Sequence, residues 1–457
     1  MNLIIKDAYI VNEGTIQVSS LHITGQRIAA IGNWKTFDLD GAQILEAEGK
    51  YLLPGVIDTH VHFREPGLTE KADFYTESRA AAAGGVTSIV DMPNTLPPTT
   101  TLKLLQEKAA LAQEKSLINY GFMIGAANDN ISQILDCDPS QFAAIKLFLG
   151  SSTGNMLVDN PQALDMLFQN AKTLIVAHCE EEGVIQANLQ NYKAQYLGTP
   201  EETAALHPKI RTTEACYLST YKAIERARKF HTQLHIAHLT TATELNLLSN
   251  QDLAQKHITA EVSPNHLWFD DRDYERLGNL IKCNPAIKSN DDRLALWAAL
   301  YDGLIDTIAT DHAPHTLESK QLPYFKAPGG IPSIQHSLQM MLESVFNPTT
   351  AQETGLRDTW LPLLVQKMSH APADRFHILD RGYLREGYYA DLVLVDPHGT
   401  TTVTPESLYY KCGWSPLQGE TFHTRIASTW VNGTQVWDGT RHATTSPALP
   451  LQYTPWK

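Results

Sequence analysis

The fold of this chain is decided by residues 52–64, which read LLPGVIDTHVHFR. The apolar run at the start predicts a buried β-strand, and polar residues begin where that run ends. Successive side chains of a strand point to opposite faces, so His60 and His62 face the same way. Two imidazoles at a strand end are typical of a divalent metal site, with a polar strand end carrying two incidental histidines as the alternative. Arg64 continues that face and would place a positive charge just beyond the metal.

Outward from this stretch, the sequence alternates between strands and helices. Strand-like apolar runs occupy residues 55–58, 87–91, 118–124, 144–149, 174–177, 234–237, 258–262 and 307–310. Helical segments separate most of them, at residues 72–83, 102–114, 212–230 and 291–303. These β–α units predict an α/β fold, a (β/α)8 TIM barrel, whose chemistry lies at the carboxyl ends of the strands. A doubly wound open sheet is the alternative, but no GxGxxG pattern follows the first strand.

Both ends of the chain are rich in short strands and turns instead. Residues 3–31 contain three strand-like runs, and residues 428–437 read as a hairpin that turns at Asn-Gly. Neither end is long enough to be stable alone, so we expect the two ends to form one small β domain. The predicted division is residues 1–53 for its N-terminal part, 54–375 for the metal-dependent barrel and 376–457 for its C-terminal part.

Composition limits the classes of protein to which the chain can belong. Of its 457 residues, 43% are hydrophobic and 19% are charged, as in ordinary soluble globular proteins. A net charge of -14 argues against a nucleic-acid or anionic-membrane surface, so we expect a small-molecule substrate instead. No run is apolar enough to span a membrane, and the N-terminus lacks the core of a signal peptide. The scattered cysteines without a CxxC spacing disfavour disulfides and cysteine–zinc sites, and indicate a cytoplasmic protein.

Further residues of metal-binding type accompany the predicted strands. Lys146 lies within the fourth strand, His178 ends the fifth, His238 ends the sixth and Asp311 ends the eighth. A single histidine after an apolar strand is more often a hydrogen-bonded structural residue than a metal ligand. Agreement among five strand ends favours a metal site at one end of the barrel instead.

Two neighbouring histidines have to be separated from this set. His235 precedes His238 by three residues, and His312 follows Asp311 directly. Because a strand turns residues at odd separations to opposite faces, we expect His235 to be a core or interface residue. By the same reasoning, His312 is predicted to be structural.

Lys146 is the unusual member of the set. A lysine in a buried strand is costly, and its ammonium group has no lone pair to offer a cation. One interpretation is a side chain that reaches solvent or pairs with an acid. The functional interpretation is that burial depresses the lysine pKa, so that the neutral amine takes up carbon dioxide. The resulting carbamate is an anion that can bridge two metal ions.

Four motifs make the chain resemble the cyclic amidohydrolases, and within them the dihydroorotase group. They are His-x-His-x-Arg at residues 60–64, Met-Pro-Asn-Thr at 92–95, Asp-His-Ala-Pro-His at 311–315 and LREGYYADLV at 384–393. The resemblance covers nearly the whole chain. The motifs together are much more specific than the histidine pair alone.

The resemblance implies two divalent metal ions, with zinc as the expected metal, and carbon dioxide as a lysine modification. The implied ligands are His60 and His62 for one ion, His178 and His238 for the other, carboxylated Lys146 as the bridge, and Asp311. Asp311 would also act as the general acid and base toward a bridging hydroxide. Some bacterial relatives use an aspartate from the following loop as the bridge. Here that loop is residues 151–155, with Asp159 as the nearest acid.

The same resemblance implies a set of substrate contacts. Arg64 can bind a carboxylate through a charge-assisted bidentate pair, with Asn94 and His315 completing the clamp. The remaining contacts to the pyrimidine ring would come from His62, Asn284, Gly329 and Gly330. The alternatives are an ordinary surface cation for Arg64 and a turn-forming residue for Asn94.

The activity implied by the resemblance is the reversible cyclisation of N-carbamoyl-L-aspartate to L-dihydroorotate in pyrimidine synthesis. We expect a homo-oligomer, a dimer or a tetramer, and residues 316–330 could close over the site. One alternative is an allantoinase or hydantoinase, whose neutral substrates need no carboxylate clamp. Another is a catalytically inactive relative that serves as a partner protein, although all six ligand positions are filled here.

Overall fold

The two large β-sheets of the protein are built from different parts of the chain. The computed structural model describes residues 2–150, 156–195, 203–347 and 357–456. The first strands are β1 (Asn2–Asn12), β2 (Thr15–Thr24), β3 (Arg27–Gly32), β4 (Gln43–Glu46) and β5 (Tyr51–Pro54). The central strands are β6 (Val56–Val61), β7 (Val86–Asp91), β8 (Asn119–Gly125), β9 (Ala144–Phe148), β10 (Ile175–His178), β11 (Leu234–Ile236), β12 (Ile258–Val262) and β13 (Thr307–Ile308). The last strands are β14 (Leu392–Asp396), β15 (Thr401–Thr402), β16 (Thr421–Phe422), β17 (Arg425–Val431) and β18 (Thr434–Trp437).

Helices connect the central strands and follow them. In the first half of the chain they are α1 (Phe74–Ala83), α2 (Leu102–Lys115), α3 (Ile131–Leu135), α4 (Pro161–Asn170), α5 (Glu182–Gln195), α6 (His207–Ile210) and α7 (Thr213–Phe230). In the second half they are α8 (Pro264–Trp268), α9 (Tyr274–Leu277), α10 (Asn290–Tyr301), α11 (Leu317–Lys320), α12 (Ser337–Phe346), α13 (Arg357–Val365) and α14 (Ala371–Arg375). A π-helical turn, Gln366–His370, joins the last two. No helix among the described residues is long and apolar enough to cross a membrane.

The central strands form a parallel barrel. Each of β6 to β13 pairs with its neighbour in chain order. The sheet closes where Val61 bridges His312, and the His62 backbone N–H donates to the His312 carbonyl at 2.8 Å. Asp58 adds to this closure, because its carboxylate accepts bonds from the backbone N–H and the hydroxyl of Thr310. The TIM barrel prediction is therefore confirmed, and the open sheet is excluded.

The barrel strands are buried along almost their whole length. Every residue of β6, β7, β8 and β9 is buried. Parallel strands with both faces covered read as continuous apolar runs, which explains why the sequence predicts them well. Predicted and observed bounds of the eight strands differ by at most three residues. We call the end where the carboxyl ends of the strands meet the mouth of the barrel, and the opposite end its base.

The second large sheet combines both ends of the chain, as predicted. Its strand order is β18-β17-β14-β5-β1-β2-β3, with β4 beside β1. It has an apolar core of its own, to which β1, β2 and Trp430 contribute. The β17–β18 hairpin turns at Asn432 and Gly433, with φ values of 48° and 75°, the left-handed pair that a tight hairpin requires. The domain limits at residues 53 and 375 stay a prediction.

The C-terminal tail leaves this sheet and crosses the base of the barrel. The backbone N–H of Leu451 donates to the Tyr120 carbonyl at 2.8 Å, and the N–H of Tyr120 donates to the Leu449 carbonyl. Leu451 and Tyr453 pack against the apolar interior of the barrel. A Cβ atom at Gly121 would lie 2.0 Å from the Tyr453 hydroxyl, so only glycine admits the tail there. The tail thus covers apolar surface at the base of the barrel, although the predicted division assigns it to the small β domain.

Candidate metal centre and active site

The structure brings the six predicted metal ligands together at the mouth of the barrel. Five of them are almost completely buried, and Asp311 is partly buried. They come from β6, β9 and β10 and from the residues that follow β6, β11 and β13. The set is His60, His62, Lys146, His178, His238 and Asp311.

His60, His62 and Asp311 form a group that could hold a metal ion. Their ligand atoms all lie within 4.8 Å of one another. Oδ1 of Asp311 is 3.0 Å from Nε2 of His62 and 3.4 Å from Nε2 of His60. Asp311 has a φ of 49°, a left-handed conformation that is unusual for a non-glycine residue. This backbone turn accompanies a carboxylate that faces His60 at the end of β6 and His62 just after it.

His178 and His238 form a second pair beside the first group. Nδ1 of His178 lies 2.9 Å from Nε2 of His238, and the ring centroids are 4.7 Å apart. The His238 ring also lies 5.3 Å from the His60 ring, which joins the pair to the first group. The six residues are therefore parts of one cluster.

Three imidazoles of the cluster have a polar side chain beside the ring nitrogen that faces away from the other ligands. Nδ1 of His62 lies 2.7 Å from Oδ1 of Asn94, and Nε2 of His178 lies 3.1 Å from Oε2 of Glu180. Nδ1 of His60 contacts Oε1 of Glu261. An imidazole that donates its proton outward leaves the other nitrogen as an acceptor. Three such acceptors facing a carboxylate and another imidazole fit a bound cation.

Burial favours the neutral imidazoles that this arrangement needs. It lowers the pKa of His62 to about 4, despite the opposing effect of Asp311. It also lowers the pKa of His178 and His238. Neutral histidines are the form that coordinates metal ions. The donor set is thus suited to divalent cations near neutral pH.

Lys146 has no hydrogen-bond partner among the described residues. Its side chain is fully buried, and its Nζ atom lies 5.2 Å from the centroid of the Phe148 ring. Burial lowers the lysine pKa to about 8, although the charges of Glu261 and Asp311 act in the opposite direction. A buried ammonium with no partner is costly, so this nitrogen is the clearest unsatisfied group of the cluster. The alternative of a lysine that reaches solvent does not fit this burial.

Glu261 and Glu180 are supporting residues that the sequence analysis missed. Glu261 contacts His60 and accepts the backbone N–H of His238 at 3.2 Å. Glu180 contacts both His178 and Arg211. Burial alone would raise the pKa of Glu180, but the Arg211 charge and the His178 bond outweigh it and lower that pKa to about 2. A glutamate inside the apolar run of residues 258–262 is the pattern that could have revealed Glu261.

The prediction that His235 is a core residue is correct, but the prediction that it faces away from His238 is wrong. His235 is a buried core residue, hydrogen-bonded to Thr259 at 2.7 Å. Its Nε2 also lies 3.4 Å from Oε2 of Glu261, so its side chain points into the barrel, as that of His238 does. The alternation argument fails because His238 lies beyond the end of β11 and has a φ of 36°.

Asp311 is flanked by two buried anchors. On one side, Thr310 donates its hydroxyl to Asp58 at 2.6 Å. On the other, Nε2 of His312 lies 2.8 Å from Glu77, and Nδ1 of His312 accepts the backbone N–H of Ser333. His312 is thus structural, as predicted. The two anchors hold the left-handed backbone of Asp311 from both sides.

Arg64 and His315 are brought together beside the metal-type residues. One guanidinium nitrogen of Arg64 lies 3.1 Å from Nε2 of His315, and its Nε donates to the Pro314 carbonyl. Arg64 is 5% exposed, and burial lowers its pKa to about 10. Among the described residues, no carboxylate lies within 4.0 Å of it, and the ordinary surface cation is excluded by its burial. Oδ1 of Asn94 lies 2.7 Å from Nδ1 of His62, and its predicted part in the clamp stays a prediction.

Asn284, Gly329 and Gly330 form a wall behind His315. The Gly329 carbonyl lies 3.2 Å from Nε2 of His315. A Cβ atom at Gly330 would lie 2.3 Å from the Ala313 carbonyl oxygen and 2.9 Å from the His315 ring, so glycine is required there. One at Gly329 would lie 3.0 Å from Nδ2 of Asn284. Oδ1 of Asn284 is buried, with no partner among the described residues.

The alternative bridging acid is engaged elsewhere. Asp159 accepts a hydrogen bond from the Asn128 side chain at 2.9 Å in an exposed position. The loop of residues 151–155 lies outside the described part of the chain. Among the described residues, Lys146 is therefore the candidate that occupies the cluster.

Comparisons with known proteins show the family to which the chain belongs. Residues 51–436 match the amidohydrolase family. The chain is 34% identical to a dihydroorotase of Halobacterium salinarum over 95% of its own length and 96% of the relative. It is 28% identical to an allantoinase of Escherichia coli, covering 96% and 95% of the two chains.

A solved structure extends the likeness to the whole fold. The L-hydantoinase of Arthrobacter aurescens superposes with a TM-score of 0.90 at 26% identity, covering 99% of both chains. Dihydroorotase, allantoinase and hydantoinase all open or close a cyclic amide. The family match spans most of the chain, and these relatives cover nearly all of it. The chain therefore belongs to the amidohydrolase family and is a cyclic amide hydrolase.

Proposed function

We propose that the protein is a dihydroorotase, which interconverts N-carbamoyl-L-aspartate and L-dihydroorotate in pyrimidine synthesis. The observation that carries this proposal is the buried Arg64–His315 pair beside the metal-type cluster. A buried guanidinium that has no carboxylate within 4.0 Å among the described residues favours an anionic ligand. Dihydroorotate carries a carboxylate on its ring, whereas allantoin carries a neutral ureido arm.

Two divalent metal ions, zinc in our proposal, complete the site. His60, His62 and Asp311 would hold one ion, and His178 and His238 the other. Carboxylation of Lys146 would supply the bridging anion and remove the unsatisfied amine. Histidine and carboxylate ligands suit zinc. When bound, the metal ions lower the pKa of a water molecule and polarise the amide carbonyl.

The residues of the chain divide the remaining work. Arg64 and His315 bind the substrate carboxylate and fix the ring, while Asn94 orients His62. The backbone of Gly329 and Gly330 and the unsatisfied amide of Asn284 face the pyrimidine ring. In hydrolysis, water adds to the ring carbonyl and the carbon–nitrogen bond breaks. Asp311 takes the proton of the water and delivers it to the departing nitrogen, and cyclisation reverses these steps.

The setting of the enzyme is part of the same proposal. We place it in the cytoplasm as a homo-oligomer, a dimer or a tetramer, with no nucleic-acid or membrane partner. The net charge of -14 supports the absence of polyanionic partners. All five cysteines are free thiols, which suits a reducing compartment.

The second candidate is an allantoinase or hydantoinase. It is favoured by the allantoinase relative at 28% identity and by the hydantoinase fold at a TM-score of 0.90. The two candidates differ in what they ask of Arg64. A neutral substrate gains nothing from a buried guanidinium, so the side chain would be dispensable.

The test is ring opening of L-dihydroorotate, allantoin and hydantoin by the purified holoenzyme under identical conditions. We expect dihydroorotate to be opened about tenfold to a hundredfold more efficiently, since a charge-assisted bond contributes roughly 1.5 to 3 kcal/mol. Arg64→Met should remove that preference. The control is Arg79→Met, because Arg79 stacks on Tyr75 at the surface of α1. Preference for allantoin or hydantoin, or an Arg64→Met enzyme with full activity on dihydroorotate, would refute the proposal.

A further inference from the structure

Lys320 donates hydrogen bonds that hold residues 328–330, which form one wall of the site. It ends the short helix α11, and its side chain is 1% exposed. Its ammonium donates to the carbonyls of Lys282, Pro328 and Gly330 at 3.0, 3.1 and 2.9 Å. The segment of residues 316–330, which the sequence suggests as a closing loop, is therefore tied down by a buried cation.

Lys320 differs from other buried lysines in what balances its charge. Lys108 lies 2.5 Å from Asp91, and Lys256 lies 2.7 Å from Asp306. Within the described part of the chain, no carboxylate lies within 4.0 Å of Lys320. The nearby charges include Arg64 and Lys282, which repel it. Carbonyl dipoles reduce the cost of such a burial but do not supply a counter-charge.

The Lys320 ammonium is connected to the Arg64–His315 pair through Gly330 and Trp414. It binds the carbonyl of Gly330, and a Cβ atom at Gly330 would lie 2.9 Å from the His315 ring, so the glycine packs against that ring. Trp414 links the same groups, since its Nε1 donates to the His315 carbonyl at 2.7 Å and its ring lies 5.7 Å from Nζ of Lys320. Burial lowers the pKa of His315, and the charges of Arg64 and Lys320 lower it further, so both cations act on this imidazole.

Among the described residues, neither of these two buried cations has a carboxylate within 4.0 Å, although more distant acids, Asp311 first among them, still attract the charge of Arg64. The wall that the two cations share is therefore an electropositive subsite. Burial lowers the pKa of Lys320 to about 7, which reflects the missing counter-charge. An anion bound at Arg64 would supply that charge and favour the protonated lysine. The free chain therefore bears an electrostatic cost that an anionic ligand relieves.

We infer that Lys320 is a specificity-determining positioning residue for anionic cyclic amides. Its ammonium holds the carbonyls of residues 328–330 and adds a second positive charge behind the Arg64–His315 pair. This inference rests on the proposed function for the identity of the anion, a ring carboxylate. Lys320 touches neither the reacting amide nor the metal ligands, so it acts on substrate affinity and not on the chemical step.

The experiment compares Lys320→Met with the wild-type holoenzyme and with Lys367→Met. Lys367 is the matched control, since it is 5% exposed and donates only to a carbonyl, that of Ile305 at 2.6 Å, at the base of the barrel. The KM and kcat are measured for L-dihydroorotate and for dihydrouracil, the same ring without the carboxylate. The dissociation constant of orotate is measured by calorimetry, which does not depend on turnover.

We expect Lys320→Met to raise the KM for dihydroorotate and the dissociation constant of orotate by roughly tenfold or more. The kcat for dihydroorotate and the kinetics with dihydrouracil should stay within about twofold, and Lys320→Arg should recover part of the affinity. Lys367→Met should leave all of these values unchanged. If Lys320→Met does not fold, Lys320→Gln replaces it, because it keeps hydrogen-bond donors without the charge.

Unchanged orotate and dihydroorotate affinities in Lys320→Met would overturn the inference. An equal loss on dihydroorotate and dihydrouracil would also overturn it, since that result indicates a collapsed loop. The failure of the proposed function looks different, because the wild-type enzyme would then not open dihydroorotate. In that case the orotate measurement still decides the role of Lys320.

Discussion

The two ends of the barrel bury charge in opposite ways. At the base, Lys256 lies 2.7 Å from Asp306, which also accepts the backbone N–H of Ala260. The C-terminal tail then covers the apolar interior with Leu451. At the mouth, Lys146 has no hydrogen-bond partner among the described residues, and Arg64 has no carboxylate within 4.0 Å among them.

This difference separates the part of the barrel that stabilises the fold from the part that binds ligands. The Lys256–Asp306 pair at the base is satisfied within the chain itself, so it contributes to stability without any ligand. Groups at the mouth carry an unpaid desolvation cost that only metal ions and an anionic substrate remove. Active sites of this fold lie at the carboxyl ends of the strands, which is the end where the unsatisfied groups are found here.

Lys146→Met should have the largest effect on activity of the changes at the mouth of the barrel. We expect ring opening to fall by about a thousandfold, since Lys146 is the side chain that would carry the proposed anion between the metal ions. The metal content per chain should fall with it. Both are checked by steady-state kinetics and by emission spectroscopy on the same sample. Lys367→Met at the base should retain activity and metal, and a Lys146→Met enzyme that retained both would contradict the assignment.

Glu261→Gln tests the support of the metal ligands. Its carboxylate orients His60 and the backbone of His238, so metal affinity should fall by about tenfold to a hundredfold. Competition with a chromogenic chelator measures that affinity. The matched control is Glu244→Gln, because Glu244 is also buried but bonds to Thr220 and Thr241, away from the ligands. Equal losses of metal affinity in the two variants would show that the effect comes from changing a buried glutamate in general and not from the contact with His60.

Thr310→Val probes the anchor of Asp311. The change removes the 2.6 Å hydrogen bond to Asp58 and loosens the left-handed backbone next to it. We expect kcat to fall by about tenfold with little change in KM, because proton transfer depends on the position of the carboxylate. Thr87→Val, in the adjacent strand β7, should leave kcat unchanged. A larger effect on KM than on kcat would argue against a positioning role.

Leu451→Ala should have the smallest effect on activity. It removes apolar contact at the base and should lower the free energy of unfolding by about 2 to 3 kcal/mol. The kinetics of ring opening should not change at temperatures where the protein stays folded. Denaturant unfolding followed by fluorescence measures the loss, and Val18→Ala, on an exposed side chain of β2, is the control. Altered kinetics in Leu451→Ala would show that the two ends are coupled.

The sequence predicts the barrel and the first set of ligands because both depend on local patterns. The strand β6 is an apolar run that contains His60 and is followed directly by His62, and alternation predicts that the two histidines share one face. The other ligands stand at the ends of similar runs, so the topology of the barrel brings them together. The resemblance of these motifs to the cyclic amidohydrolases then implies a reaction, which the spacing of the residues alone does not.

The supporting residues could not be predicted in the same way, because they act across the barrel. Glu261 meets His60 from a strand 201 residues away in the chain. Lys320 lies in the polar stretch LESKQ, which is typical of an exposed loop, and only the fold reveals its burial. His238 escapes the alternation rule because its backbone turns left-handed just after β11. The path of the tail across the base depends on Gly121, which is remote in sequence.

The central claim is that bound ions complete the unsatisfied groups at the mouth of the barrel. The number of divalent metal ions per chain in the purified, active enzyme tests it most directly. The account predicts two ions per chain, with ring opening lost when a chelator removes them and restored when zinc is returned. A fully active enzyme that contains no divalent metal would contradict it.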